Sequence, residues 1–164
     1  MDQHSRAFVG IDTSKLRNAI AVAEDGRLGD VRFLGEIDTT EAATRKLVTK
    51  LATKYRQLTF CYEAGPTGYR LYRLIRKLGH DCIVAAPSLI PKKPGDRVKT
   101  NRRDAVGLAK LLRAGDLTAV WVPDERHEAM RDLSRAREAA QKDLQGKRQQ
   151  VSSKRQLQAR SVYT

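Results

Sequence analysis

Ala7-Phe8-Val9-Gly10-Ile11-Asp12 decides how this chain is read. Five uncharged residues run straight into an acid. Parallel strands are buried on both faces and read as continuous apolar runs, so a charge belongs at the mouth of such a strand and not within it. The pattern recurs at Leu58-Thr59-Phe60-Cys61-Tyr62, which stops at Glu63. A third acid, Asp104, stands at the front of the helical stretch Ala105 to Leu112, with Asn101 three residues before it.

Outward from the first run, Asn18 to Ala23 reads as a second strand and Glu24-Asp25-Gly26-Arg27 as a turn. Val31 to Ile37 alternates Val31, Phe33 and Gly35 against Arg32, Leu34 and Glu36, a third strand. Short links make these three an antiparallel meander. The period then becomes helical: Ala42, Ala43, Leu47, Leu51 and Tyr55 follow the capping residues Thr39 and Thr40. Leu58 to Tyr62 is strand four, Thr67 to Leu78 a helix striped by Tyr69, Tyr72, Ile75 and Leu78, and Asp81 to Ala86 strand five. A strand-helix-strand link implies that strands four and five are parallel. The expected fold is α/β, with a mixed five-stranded sheet, flanking helices and a long C-terminal helix.

Residues 87–100 carry Pro87, Pro91, Pro94 and Gly95 with Lys92, Lys93, Arg97 and Lys99, and composition reads equally as a mobile phosphate-facing loop or as a solvated connector. A helix capped by Thr100 or Asn101 follows, to about Arg113, then an extended piece from Thr118 to Val122. From Asp124 one long helix carries Met130, Leu133, Ala140, Leu144 and Val151 near one seam, at coiled-coil spacing. Past Ser152 the pattern weakens, and a frayed basic tail is expected. The domain boundaries drawn are residues 5–122 for the sheet domain and 123–164 for the helix, a candidate homodimer seam.

The 164 residues suit one domain with a substantial core, and the net charge is +13. Residues 91–164 carry +9 of it, and no acid follows Asp143. That balance points to phosphate-rich partners, above all nucleic acid. Lys92, Lys93, Arg97, Lys99, Arg102 and Arg103 are the candidate phosphate contacts. Cys61 and Cys82 lack zinc-site spacing and read as small buried hydrophobes. No stretch resembles a signal peptide or a membrane span, and a cytoplasmic protein is expected.

In a sheet ordered 3-2-1-4-5, strands one and four are neighbours about 4.8 Å apart. Asp12 and Glu63 then sit side by side, and Asp104 folds over the same edge. Hard oxygen ligands in such a group select magnesium or manganese and suit two-metal phosphoryl transfer. Taken singly, each acid has a plainer reading: Asp12 as a turn cap, Glu63 as the start of a turn, Asp104 as a first-turn acid favoured by the helix dipole. Jointly, on a basic chain, the metal reading overtakes these.

Gly10-Ile11-Asp12-Thr13-Ser14-Lys15, Tyr62-Glu63-Ala64-Gly65-Pro66-Thr67-Gly68 and Val98-Lys99-Thr100-Asn101-Arg102-Arg103-Asp104-Ala105 resemble, in order, the motifs of the DEDD transposases of the IS-one-ten and IS-eleven-eleven insertion-sequence group. The resemblance covers about residues 7–150. It implies an RNase-H-like (RuvC-like) domain that binds metal and acts on DNA in transposition, guided in some members by a structured RNA. Asp12, Glu63, Asn101 and Asp104 then take the four catalytic and metal-binding positions.

There are two departures. The third position, commonly Asp, is Asn101, whose amide oxygen can ligate but adds no charge; Asp96 lies nearby as a substitute. Family members also continue into a second domain bearing a serine nucleophile, and Ser134, Ser152, Ser153 and Ser161 do not match it. The expectation is a truncated or decayed product, or one domain of a larger protein, not competent alone. The competing reading is a non-catalytic nucleic-acid binder. An ATPase of the sugar-kinase or actin type fits poorly, because Lys15-Leu16-Arg17 stands where glycines and small hydroxyls are needed.

Overall fold

The computed structural model describes residues 6–26, 28–91 and 100–161. Its elements run β1 (Arg6–Asp12), β2 (Arg17–Glu24), β3 (Val31–Asp38), α1 (Glu41–Ala52), β4 (Gln57–Glu63), α2 (Arg70–Lys77), β5 (Asp81–Ala85), a 3₁₀ turn (Pro87–Leu89), α3 (Asn101–Ala114) and α4 (Glu125–Ser161). The strands form one sheet in the order β3-β2-β1-β4-β5. β1 pairs antiparallel with β2 and parallel with β4, β2 antiparallel with β3, and β4 parallel with β5. This is the mixed five-stranded sheet, in the strand order drawn from the sequence.

β2 shows how the sequence divides the two faces. Ala19, Ala21 and Ala23 point one way, Ile20 and Val22 the other, as the two-residue strand period requires. The bulky face joins Val9, Ile11, Phe60 and Tyr62 to Leu47, Val48 and Leu51 of α1 and Ile75 of α2. Fully burying one such side chain contributes about 1.5–3 kcal/mol. The small face receives Ala105, Leu108, Ala109 and Leu112 of α3. Small residues there let the helix lie close. At Gly10 it lies directly on the strand: a Cβ would fall 2.3 Å from the Ala105 carbonyl oxygen and 2.5 Å from the Ala109 nitrogen.

The alternation expected along β3 breaks once. Phe33 pairs with Ala21, but Gly35 pairs with Ile20, so Leu34 is an extra residue. Gly35 has φ +102°, which only glycine adopts readily. The bulge reverses side-chain parity, so Glu36 shares the α3 face with Phe33 instead of opposing it.

Thr100 caps α3, its Oγ1 accepting the Arg103 N–H at 3.3 Å, and Gly115 ends it in the left-handed conformation. The segment around Ala119 lies antiparallel on β5, with Ala86 N–H donating to Thr118 O at 3.0 Å and Val120 N–H to Val84 O at 2.7 Å. It covers an edge that would otherwise be open to pairing. Helix two starts at Arg70 and not Thr67, because Gly65 to Gly68 form a turn first.

The chain divides into two compact units, Met1–Val122 and Pro123–Thr164. In the second, Met130, Leu133, Leu144 and Val151 are exposed on α4. The helix continues to Ser161, through the stretch where the fading pattern predicts a frayed tail. Residues 152–161 contain neither Gly nor Pro, so loss of the apolar stripe does not stop the backbone. Among the described residues no helix is long and apolar enough to cross a membrane.

Candidate metal and nucleic-acid site

Asp12 pairs with Ala19 of β2, and Ala19 pairs with Glu36 of β3. On the other side, Ile11 pairs with Tyr62, so Asp12 and Glu63 are the next residue along each of two parallel strands. Cross-strand partners share a face. Glu36, Ala19, Asp12 and Glu63 therefore form one row across the sheet, on the α3 side. Asp12 is half-buried and Glu63 exposed.

The turn after β4 fixes Glu63. Ala64 N–H donates to Ala85 O at 2.9 Å, Gly68 N–H to Gly65 O at 3.2 Å, and the Tyr62 hydroxyl to Gly68 O at 3.1 Å. Desolvation of Tyr62, the main cause, raises its phenol pKa and keeps it a neutral donor. The loop after β1 closes on Ser14, whose Oγ donates to Arg17 O and accepts the Arg17 N–H.

α3 brings the remaining two positions. Ala105 is fully buried where the helix meets Gly10, so Asp104, one residue earlier, lies half-buried over the C-terminal end of β1. Asn101, at the exposed first residue of α3, donates its Nδ2–H to Glu36 Oε1 at 3.3 Å. Glu36 also faces Arg17, whose guanidinium is 3.9 Å from Oε2.

The structure thus places Asp12, Glu63, Asn101 and Asp104 at one end of one face. The donors are the hard oxygens that a divalent cation requires, and this donor set fits such an ion in kind. The side chains themselves stand apart: among the described residues no three His, Cys, Asp or Glu side chains are grouped closely enough to hold a metal. Glu36 is the residue that the strand alternation hides. Its signal is Gly35 inside a strand, a common mark of a bulge.

Of the six candidate phosphate contacts, Lys92, Lys93, Arg97 and Lys99 lie outside the described residues, as does Asp96. Arg102 stacks its guanidinium over the Phe33 ring, 5.5 Å from the centroid, and is exposed beside Arg103. Cys61 and Cys82 are buried free thiols. Burial raises both, Cys82 to about 12, and neither belongs to the site.

Residues 9–158 match the family model described as Transposase, DEDD_Tnp_IS110. The chain is 65% identical over 150 residues to "Putative transposase y4qE" of Sinorhizobium fredii, covering 92% of this chain and 38% of that protein. It is 35% identical over 147 residues to the transposase for insertion sequence element IS1533 of Leptospira borgpetersenii, covering 89% and 42%. The chain thus spans about two fifths of the length of these curated relatives. Among solved structures, Thermus thermophilus RuvC is similar with a TM-score of 0.45 and 12% identity, over 70% of this chain and 99% of that one.

Proposed function

We propose, for a chain that belongs to the IS110-type DEDD transposase family, that it forms the metal-binding and nucleic-acid-holding domain of an insertion-sequence transposase. The observation that carries this is the row on the α3 face, where Asp12 and Glu63 end adjacent strands beneath Asp104. Asp12, Glu63 and Asp104 would hold magnesium or manganese. Asn101, its Nδ2 given to Glu36, keeps its amide oxygen for the ion. A bound divalent cation supplies there the positive charge that activates an attacking oxygen and offsets a phosphodiester's charge.

The protein's own contribution is placement. Parallel pairing sets Asp12 beside Glu63, and the close approach at Gly10 sets the height of Asp104 above them. The partner is DNA, with a structured RNA as a second ligand. Arg102 and Arg103 sit next to Asp104 to meet the phosphates, with Lys92, Lys93, Arg97 and Lys99 before them in the chain. The exposed apolar residues of α4 are the seam for a second copy. The setting is the cytoplasm.

Manganese titration followed by thermal unfolding tests the metal. Binding to the native state alone stabilises by roughly 2.7 kcal/mol at a hundredfold excess over Kd. Wild type should shift upward, and Asp12→Ala should not. No shift in wild type sinks the metal assignment.

A second reading has its own support: the nitrogen of Asn101 is committed to Glu36 and the acids are not gathered. In that reading the domain holds nucleic acid without chemistry. Salt-sensitive DNA binding that survives removal of Asp12, Glu63 and Asp104 together favours it.

A further inference from the structure

On the opposite face of the sheet from α3, an open cavity of about 430 Å³ begins one residue past Asp12. Its lining includes Thr13, Ser14, Lys15, Asn18, Thr67 and Arg70, together with the first residues of α1 and α2. The lining chemistry is hydroxyl, amide and cation. Its one acid, Glu41, is already neutralised: Arg45 donates to it from Nε at 3.0 Å and Nη2 at 2.6 Å. Lys15 and Arg70 take part in no ion pair or side-chain hydrogen bond among the described residues.

Asn18 is the telling residue. It is 5% exposed, yet its side-chain amide makes no hydrogen bond among the described residues. Its amide is not sealed from the cavity that it lines, so a polar ligand there can meet it. The start of α2 adds to this: its N-cap, Tyr69, makes no side-chain capping bond, and no acid stands in its first turn. Helix N–H groups left in that state attract anions.

We propose that this cavity is a phosphate-binding site distinct from the acid row. Lys15 and Arg70 supply charge, while Asn18, Thr13 and Thr67 supply hydrogen-bond donors. Its phosphate comes from the backbone of a nucleic-acid strand that also passes the acid row on the other face of the same sheet end, and this identification of the source rests on the nucleic-acid reading above. Asp12 and Thr13 are consecutive, so a single strand end serves both faces.

The test uses the full chain and the double variant Lys15→Gln/Arg70→Gln, whose altered side chains are both exposed and leave the core untouched. Fluorescence anisotropy with a labelled DNA oligonucleotide is measured across a salt series, and thermal unfolding is followed with inorganic phosphate or AMP added. If the strand backbone is the ligand, the double variant binds DNA more weakly, and the slope of log K against log salt falls by roughly 2, one per cation removed. Stabilisation of wild type by phosphate or AMP, lost in the double variant while DNA binding is unaltered, supports the site with a free phosphate as its source. Equal DNA affinity and equal phosphate response in both proteins overturn the proposal. Asp12→Asn keeps these responses and loses the manganese shift, so failure of the acid site and failure of this cavity are read separately.

Discussion

Asn101, the first residue of α3, donates its side-chain amide to Glu36 of β3 at 3.3 Å, across 65 positions of sequence. An aspartate at 101 would reverse that contact, setting carboxylate against carboxylate. Unit charges 4 Å apart interact by about 1 kcal/mol even in water. Asn101→Asp should therefore lower Tm by roughly 2–4 °C without divalent metal. Manganese should restore it by screening the new pair. Calorimetry with and without manganese checks both halves, and Glu36→Gln in the Asn101→Asp background should remove the penalty.

Gly10→Ala should be among the most damaging single changes in the sheet domain. The new methyl has only backbone to displace, at 2.3 and 2.5 Å. Overpacking of this kind typically costs about 1–3 kcal/mol. Lifting α3 also lifts Asp104, so denaturant unfolding should show lost stability and the manganese shift should shrink with it.

Glu24 is a structural acid at the far end of β2. It is 6% exposed, accepts the Tyr55 hydroxyl at 2.9 Å and pairs with Arg32 and with Lys54. Tyr55→Phe removes one hydrogen bond to a charged group, a loss of about 1.5–3 kcal/mol. Urea midpoints should fall accordingly, with metal and DNA responses preserved.

Asp124 begins α4, accepting the His127 backbone N–H at 2.8 Å, and that bond holds its carboxyl below the usual range. A folded pKa below the unfolded value gives stability that is present above the unfolded value, about 3.9, and lost as pH falls through the folded one. Asp124→Asn keeps a cap without the charge. Helical circular dichroism of wild type should weaken more than that of Asp124→Asn on acid titration.

Cys61 and Cys82 should not react with a thiol reagent at neutral pH until the protein unfolds. Both are buried, and burial holds both as thiols where the nucleophile is the thiolate.

The strand order and its parallel and antiparallel pairs were legible because apolar runs ending in Asp12 and Glu63 leave few alternatives. The same runs placed both acids correctly at one sheet end. Glu36 was not legible by alternation, because a single extra residue at Leu34 changes the parity of every later position in the strand, and the hydrophobic pattern there is only half-buried. The cavity beside Thr13 was not legible either. It is assembled from three loops and two helix starts, and no sequence period links Asn18 to Thr67 or Arg70. Tyr55 kept the helical spacing of the residues before it although α1 ends at Ala52; burial against Glu24, not helix geometry, explains its place.

The bulge in β3 has a genetic corollary. Loss of codon 34 would remove the extra residue and close a regular ladder, leaving Glu36 opposite Ala19 on the α3 face and within reach of Asn101. Exchange of Gly35 in a strand that keeps Leu34 would instead force a side chain into φ +102°. Among related insertion sequences, an in-frame loss of one residue here should therefore be easier to find than a replacement of Gly35 at unchanged length.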